Sequence, residues 1–242
     1  MVTSMADLLD RALRIAKAQE GVSWWRGLAD AGHELVPGVF RPNRGPDDER
    51  NLIGLFRLHA PTRYAGRLPE NINSWLFFMQ HYRLPTRLLD WTESVLVAAY
   101  FAACAQPEID GAVWALNPLL LNRETIGEPR FGVQGDPIVR PLFEAATKGV
   151  IQAGVAEVVA IVPDEVDLRM LVQLGRATIH NDRVPLEKRP SAGTYLKRLT
   201  IPSHVKAALR AELDWLGVRE SNLFPDLEHL ATELASRRFG AG

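Results

Sequence analysis

The sequence predicts a fold that mixes helices and strands, of the α/β or α+β class, and three observations predict it. In residues 6–19, Leu8, Leu9, Ala12, Leu13, Ile15 and Ala16 recur with charges between them, the spacing of an amphipathic helix. Residues 95–103 are apolar on every side, so a helix there must be buried rather than amphipathic. Val155 to Val162 is β-branched and stopped by Pro163, as a core strand should be. No repeat, low-complexity segment or clear linker divides the 242 residues.

Taken in order, the helix of residues 6–19 ends at Gly21. Val22 to Leu28 reads as an aromatic-rich strand carrying Arg26 beside Gly27. Leu35 to Arg41 is a turn between apolar anchors. Residues 41–48 are turn formers and predict a surface loop. Helices are expected over 49–59, stopped by Pro61, and over 72–81. Pro85 breaks the chain, and Leu84 before it is driven from helical backbone. Thr86 to Trp91 reads as extended. Thr92 then suits the N-cap of the buried helix, with Glu93 in the turn where the helix dipole favours an anion.

Beyond the turn at Ile109-Asp110-Gly111, residues 112–116 form a strand closed by Asn117-Pro118. Residues 122–142 are poor in periodicity, with three prolines and three glycines. They predict an irregular excursion, with one short helix near 119–123. A short helix or turn at 168–172 leads through Gln173-Leu174-Gly175 into a strand over 176–180. After a polar loop, residues 196–201 form a strand. Ser203 is placed to cap a helix over 204–216, which Gly217 ends. A last helix follows, with Leu227, Leu230, Ala231 and Leu234 expected to face inwards.

Bulk properties exclude several classes. A net charge of −1 supplies no global basic field for nucleic acid. One local basic group is readable in sequence: Arg57, Arg63, Arg67, Arg83 and Arg87. The single cysteine, Cys104, excludes an internal disulfide and a cysteine metal cluster. Its apolar setting disfavours a thiolate nucleophile. The six histidines show no metal-ligand spacing, so no metal site is expected. No run reaches about 18 apolar residues, so no membrane span is expected. Met1 to Ala6 does not resemble a leader, and the expected compartment is the cytoplasm. Neither a phosphate-binding glycine loop nor a nucleophile elbow occurs.

The chemistry-bearing residues concentrate in 80–103. His81, Tyr82, Arg83, Arg87, Asp90, Thr92, Glu93 and Ser94 surround a strand-to-helix junction that is buried, and polar groups there must be paired or used. Arg87 and Asp90 read first as structural, pairing with each other or capping backbone. Arg26 reads either as a solvent-side arginine stacked on tryptophan or as a fork gripping phosphate.

Two resemblances rest on these residues. Trp25-Arg26-Gly27, Gln80-His81-Tyr82, Pro85 to Thr92, Ala98 to Ala102, Gln173-Leu174-Gly175, Leu216-Gly217 and Leu223 to Leu227 resemble the FRG domain family over residues 20–235. That places an N-terminal helix at 1–19 and a tail at 236–242 around one domain. Trp25-Arg26-Gly27, then Trp91-Thr92-Glu93-Ser94 and Val97 to Phe101, also resemble ADP-ribosyltransferases of the arginine–serine–glutamate type.

This second resemblance implies an α+β domain with a split, mostly antiparallel central sheet flanked by helices. It implies NAD as substrate and ADP-ribose transfer to a macromolecule, as a toxin or anti-phage effector. Arg26, Gly27, His81, Tyr82, Arg87, Asp90 and Thr92 would bind the nucleotide; Arg26, Thr92, Glu93, Ser94 and Gln173 would carry the chemistry. Gln173 stands where those enzymes place a glutamate, so Glu93, Glu157 or Glu187 would have to supply the charge. The alternatives are a non-catalytic nucleotide- or nucleic-acid-binding module, or a metal-independent ribonuclease with His81 as acid/base and Arg26 or Arg87 on the phosphate.

Overall fold

A computed structural model describes residues 1–133, 135–163 and 168–239. They form an α+β domain with the elements α1 (Met5–Ala18), β1 (Trp24–Leu28), α2 (Pro46–His59), α3 (Ile72–His81), β2 (Leu88–Thr92), α4 (Val95–Ala103), β3 (Gly111–Leu116), α5 (Pro118–Ile126), β4 (Gly132–Val133) and α6 (Arg140–Lys148). They continue with β5 (Val158–Val162), α7 (Leu168–Val172), β6 (Gly175–His180), α8 (Ala192–Tyr195), β7 (Leu196–Ile201), α9 (Ser203–Trp215), α10 (Glu220–Leu223) and α11 (Leu227–Phe239).

The seven strands make one mixed sheet in the order β4-β5-β6-β2-β1-β3-β7. Only the β4–β5 pair is parallel among the described residues. At the centre the sheet nearly parts: β1 and β2 share the single register pair Trp25↔Thr92, whereas β1 pairs with β3 along its whole length. The next pairs in that register, Arg26 with Trp91 and Gly27 with Asp90, do not form.

Side-chain alternation sorts the core. On one face Trp25, Val113 and Ala115 pack under α1, α4 and α9. On the same face, Leu88, Val159, Ile161 and Ile179 pack under α2, α3 and α6. The opposite face carries Trp24, Leu89, Trp91, Trp114 and Leu116 against Leu121 and Tyr195. Asp90 and Thr92 share a face with Leu88 and so lie at the seam between the two helical cores.

Several expectations are corrected. Helix α2 starts at Pro46, inside the expected loop, because proline suits a first helical position and Asp47, Asp48 and Glu49 follow it in the first turn. Thr92 does not cap α4; it ends β2, and the cap is Ser94, whose Oγ accepts from the Val97 amide at 3.3 Å. Glu93 therefore precedes the helix instead of lying in its first turn.

The irregular excursion over 122–142 contains most of α5, then β4 and the start of α6. The buried Asn122 anchors it. Its side chain donates to the Ala160 and Arg130 carbonyls and accepts from the Ala160 amide, a pattern that sequence periodicity does not reveal. Ser203 does not cap α9, and its amide donates to Asp110 instead.

Helix α11 turns its leucines outward, with Leu227, Leu230 and Leu234 all exposed. Its polar side chains hold it instead. His229 stacks on Phe224, Ser221 donates to Glu233, and Arg237 reaches Asp214. Of the tail, residues 236–239 continue α11 and 240–242 lie outside the described residues. No helix among the described residues is long and apolar enough to cross a membrane.

Candidate nucleotide-binding cleft

Where β1 and β2 part, a cavity of about 180 Å³ opens between Arg26, Gly27, Asp90, Thr92, Phe101, Arg169 and Gln173. The glycine beside the arginine has a packing reason. A Cβ at Gly27 would stand 1.9 Å from the Ala98 carbonyl oxygen and 2.7 Å from the Ala102 nitrogen. Helix α4 therefore rests on the bare backbone of β1, and the small residues Ala98, Ala99 and Ala102 face it.

Arg26 spans the opening. One guanidinium nitrogen donates to the Asp90 carbonyl at 2.6 Å, where the sheet ladder has failed. Its Nε is buried without a hydrogen-bond partner, and no carboxylate forms a salt bridge with it among the described residues. Burial pushes its pKa down from the ordinary arginine value, with the Asp90 charge acting the other way. Arg26 is half-buried, and a donor shut from water and left idle is costly unless an anion completes it.

Asp90 is the carboxylate that lines this cavity. Its Oδ1 accepts from Gln80 Nε2 at 2.6 Å, and Thr86 donates to Gln80 Oε1 at 2.9 Å. The glutamine amide is thus oriented from both ends, and it positions Asp90. Arg169 lines the other wall. It donates to the His81 carbonyl at 3.1 Å and lies 4.4 Å over the Phe224 ring.

Gln80 and Arg169 were not singled out from sequence. Arg169 precedes Gln173 by one helical turn, which places both on one face. Gln80 opens the motif that Asp90 closes.

The other expected site residues divide. Gln173 lines the cavity, but its amide nitrogen donates to the Leu223 carbonyl at 2.9 Å and ties down the C-terminal segment. Thr92 donates to the Gln173 carbonyl at 2.6 Å and accepts from the Ser94 amide. Its hydroxyl joins the end of β2 to the turn between α7 and β6 and turns the chain into α4. Ser94 is spent as the helix cap. Glu93 is exposed and pairs with Arg176 at 2.9 Å, away from the cavity lining. Glu157 pairs with Arg189, and Glu187 accepts from the Leu35 amide. None of the three glutamates reaches Arg26.

Arg87 is withdrawn from the site. It is fully buried and held by Glu49, which also rules it out as a phosphate ligand in a ribonuclease. It does not pair with Asp90. His81 lines the cavity's neighbours, one of about 70 Å³ between α3 and β6 and another beside Tyr82. The basic group read in sequence disperses: Arg67 pairs with Glu70, Arg63 folds back on the His59 carbonyl, and Arg57 covers Trp75. Cys104 ends α4, and burial pushes its thiol up, away from nucleophilic use. Among the described residues no group of three or more His, Cys, Asp or Glu side chains is placed to hold a metal ion.

Beneath the cleft, Trp91 is fixed by a buried relay. Its Nε1 donates to Thr178 Oγ1 at 3.2 Å, and that hydroxyl lies 2.8 Å from His180 Nε2. His180 Nδ1 is buried without a hydrogen-bond partner, so Thr178 is the group that holds the ring. Burial, with Arg189 and Arg26 adding to it, pushes His180 down to about 3. Between that value and about 6.5 the unfolded chain binds the extra proton, so stability rises with pH in this window. Urea melts from pH 7 to pH 4 should lose up to about 1.4 kcal/mol per pH unit from this residue alone. His180→Gln should flatten that slope; equal slopes in both proteins would assign the acid sensitivity elsewhere.

The comparisons cover part of this site. Residues 22–110 match the FRG domain family, short of the 20–235 expected. The matched span carries Arg26, Gly27, Gln80, Asp90 and Thr92, and leaves Arg169 and Gln173 outside. No curated protein and no solved structure matches the chain.

Proposed function

We propose that the cleft binds a nucleotide through its pyrophosphate, with NAD as the ligand, and that the protein transfers ADP-ribose to a macromolecular target. The observation that carries this reading is Arg26, a half-buried arginine whose buried Nε lacks a partner at the mouth of a cavity. Its fork suits two phosphate oxygens, and Arg169 across the cavity supplies a second cation. Gly27 lets α4 close onto β1 at the edge of the cavity. The parting of β1 from β2 supports the split sheet that the transferase resemblance implies.

In such a transfer the bond from nicotinamide N1 to the ribose C1′ breaks, and nicotinamide leaves with the electron pair. A nucleophile of the target bonds C1′ and gives up its proton. The positive charge that develops on the ribose needs an anion. Gln173 is neutral and its amide is committed, so this role falls to Asp90, held by Gln80.

Calorimetric titration of NAD tests the reading. Saturable heat is expected for the wild type, lost in Arg26→Ala and weakened in Arg26→Lys, which keeps the charge without the fork. Circular dichroism would check that each variant is folded. Asp90→Asn should bind NAD yet release nicotinamide at least about a hundredfold more slowly, the scale of losing one electrostatic partner of the transition state. No heat from the wild type at millimolar NAD would end this proposal.

A further inference from the structure

Next to the Arg26 cavity the surface opens into a groove of about 270 Å³ whose arginines come from separate segments. Arg41 and Arg44 follow the turn after β1, and Arg83 follows α3, with Arg26 and Arg169 at the inner end. Asp90 is the one carboxylate in the lining. Arg41, Arg44 and Arg83 form no salt bridge among the described residues. Arg44 is bonded only weakly, to the Gly38 carbonyl at 3.3 Å.

On a chain of net charge −1, such a concentration of uncompensated cations is a local anion site rather than a general property of the surface. Arg83 is also held at φ 64°, a left-handed conformation that a side chain adopts at some cost. Its amide and that of Leu84 close the end of α3 onto the Gln80 and Met79 carbonyls, an ending that glycine usually makes. An arginine stands there instead and lines the groove.

A second observation extends the first. Beyond Arg83 lies an opening of about 530 Å³ walled by aromatic rings, Tyr64, Tyr82 and Phe224, with His229. Tyr82 is 46% exposed, and its ring is backed by Phe56, Phe78 and Tyr64. Phosphate-seeking arginines leading to a supported, accessible aromatic ring, here Tyr82, are the two parts of a single-strand nucleic-acid track. A phosphopeptide would use the arginines but not the ring platform.

We propose that this track binds single-stranded nucleic acid, with backbone phosphates on Arg41, Arg44 and Arg83 and a base stacked on Tyr82. It would be the macromolecular target of the neighbouring cleft, and to that extent it rests on the nucleotide reading above.

The test is fluorescence anisotropy of labelled oligo-dT and oligo-U strands of about a dozen nucleotides, on the full chain, at several salt concentrations. Binding should weaken with salt at a log–log slope near −2, the value for about three phosphates released from a single strand. R41Q/R44Q/R83Q should weaken binding at least about tenfold at low salt and flatten the slope, while NAD heat persists. Tyr82→Leu should weaken it at least about fivefold with the slope unchanged, as loss of one stacked base does.

Absent oligonucleotide binding with intact NAD heat would overturn this proposal alone. So would equal binding by the triple variant, equal binding of heparin unaffected by Tyr82→Leu, or binding of a phosphopeptide in place of the strand. Absent NAD heat with intact, arginine-dependent strand binding would overturn the nucleotide reading and leave the track standing.

Discussion

Gly27→Ala is expected to unfold the domain or to lower its stability by at least about 3 kcal/mol, the upper range for overpacking a core. The added Cβ would meet the Ala98 oxygen at 1.9 Å, which is backbone and cannot rotate aside. Relief requires lifting α4 off β1. That movement would open voids beside Trp25 and Ala102, both now buried. Gly54→Ala is the control. Gly54 lies inside α2 with nothing within 4 Å of the place a methyl group would take, and alanine there should stabilise by about 0.5–1 kcal/mol. Urea melts of the two variants separate the cases. A Gly27→Ala midpoint close to wild type would mean that α4 does not depend on the bare strand.

Breaking the pair between Glu49 and Arg87 should be comparably severe. Both side chains are fully buried. The carboxylate accepts from the Arg87 amide at 2.7 Å and from its Nε at 2.8 Å. The remaining guanidinium nitrogens donate to the Leu142 and Val150 carbonyls, and the group lies over the Phe40 ring. One residue thereby ties α2, the start of β2 and both ends of α6. Burial pushes the Glu49 carboxyl up, and Arg87 draws it back.

Glu49→Ala should cost about 3–5 kcal/mol because it leaves a charge buried without its partner. The double change Glu49→Leu with Arg87→Met should cost much less than the sum of the single changes, since it removes both charges together. A double-mutant cycle by urea denaturation measures the difference, and additive costs would show that the two residues act independently. The pair bears on the cleft through β2, because it anchors the strand that carries Asp90 there.

Helix and strand types were legible wherever a periodic apolar pattern met a strong stop, as in α1, α4 and β5. The cleft was legible in part, through Arg26, Gly27, Asp90 and Gln173. It was misread where one residue type serves two ends. Thr92 and Ser94 both suit a cap, and only the way β2 finishes against β6 selects Ser94. Arg87 and Arg26 are both arginines just before or in the middle of a strand with polar residues near in the chain. The structure gives Arg87 to Glu49, 38 positions earlier in the chain, and leaves Arg26 with a backbone carbonyl. Outward leucines on α11 misled for the opposite reason: its polar side chains found partners on the body, and the apolar stripe did not.

By itself, then, the sequence determined that helices and strands alternate through one domain, that α4 is buried, and that polar residues crowd the junction before it. Those conclusions rest on local backbone preference and on the cost of exposing apolar surface, which act over a few neighbouring residues. Only the tertiary structure decided which cations are neutralised and which face the cleft. It also gathered Arg41, Arg44 and Arg83 beside Arg26 and Arg169, because charges pair through space, and β2 and β6 bring together segments more than eighty residues apart.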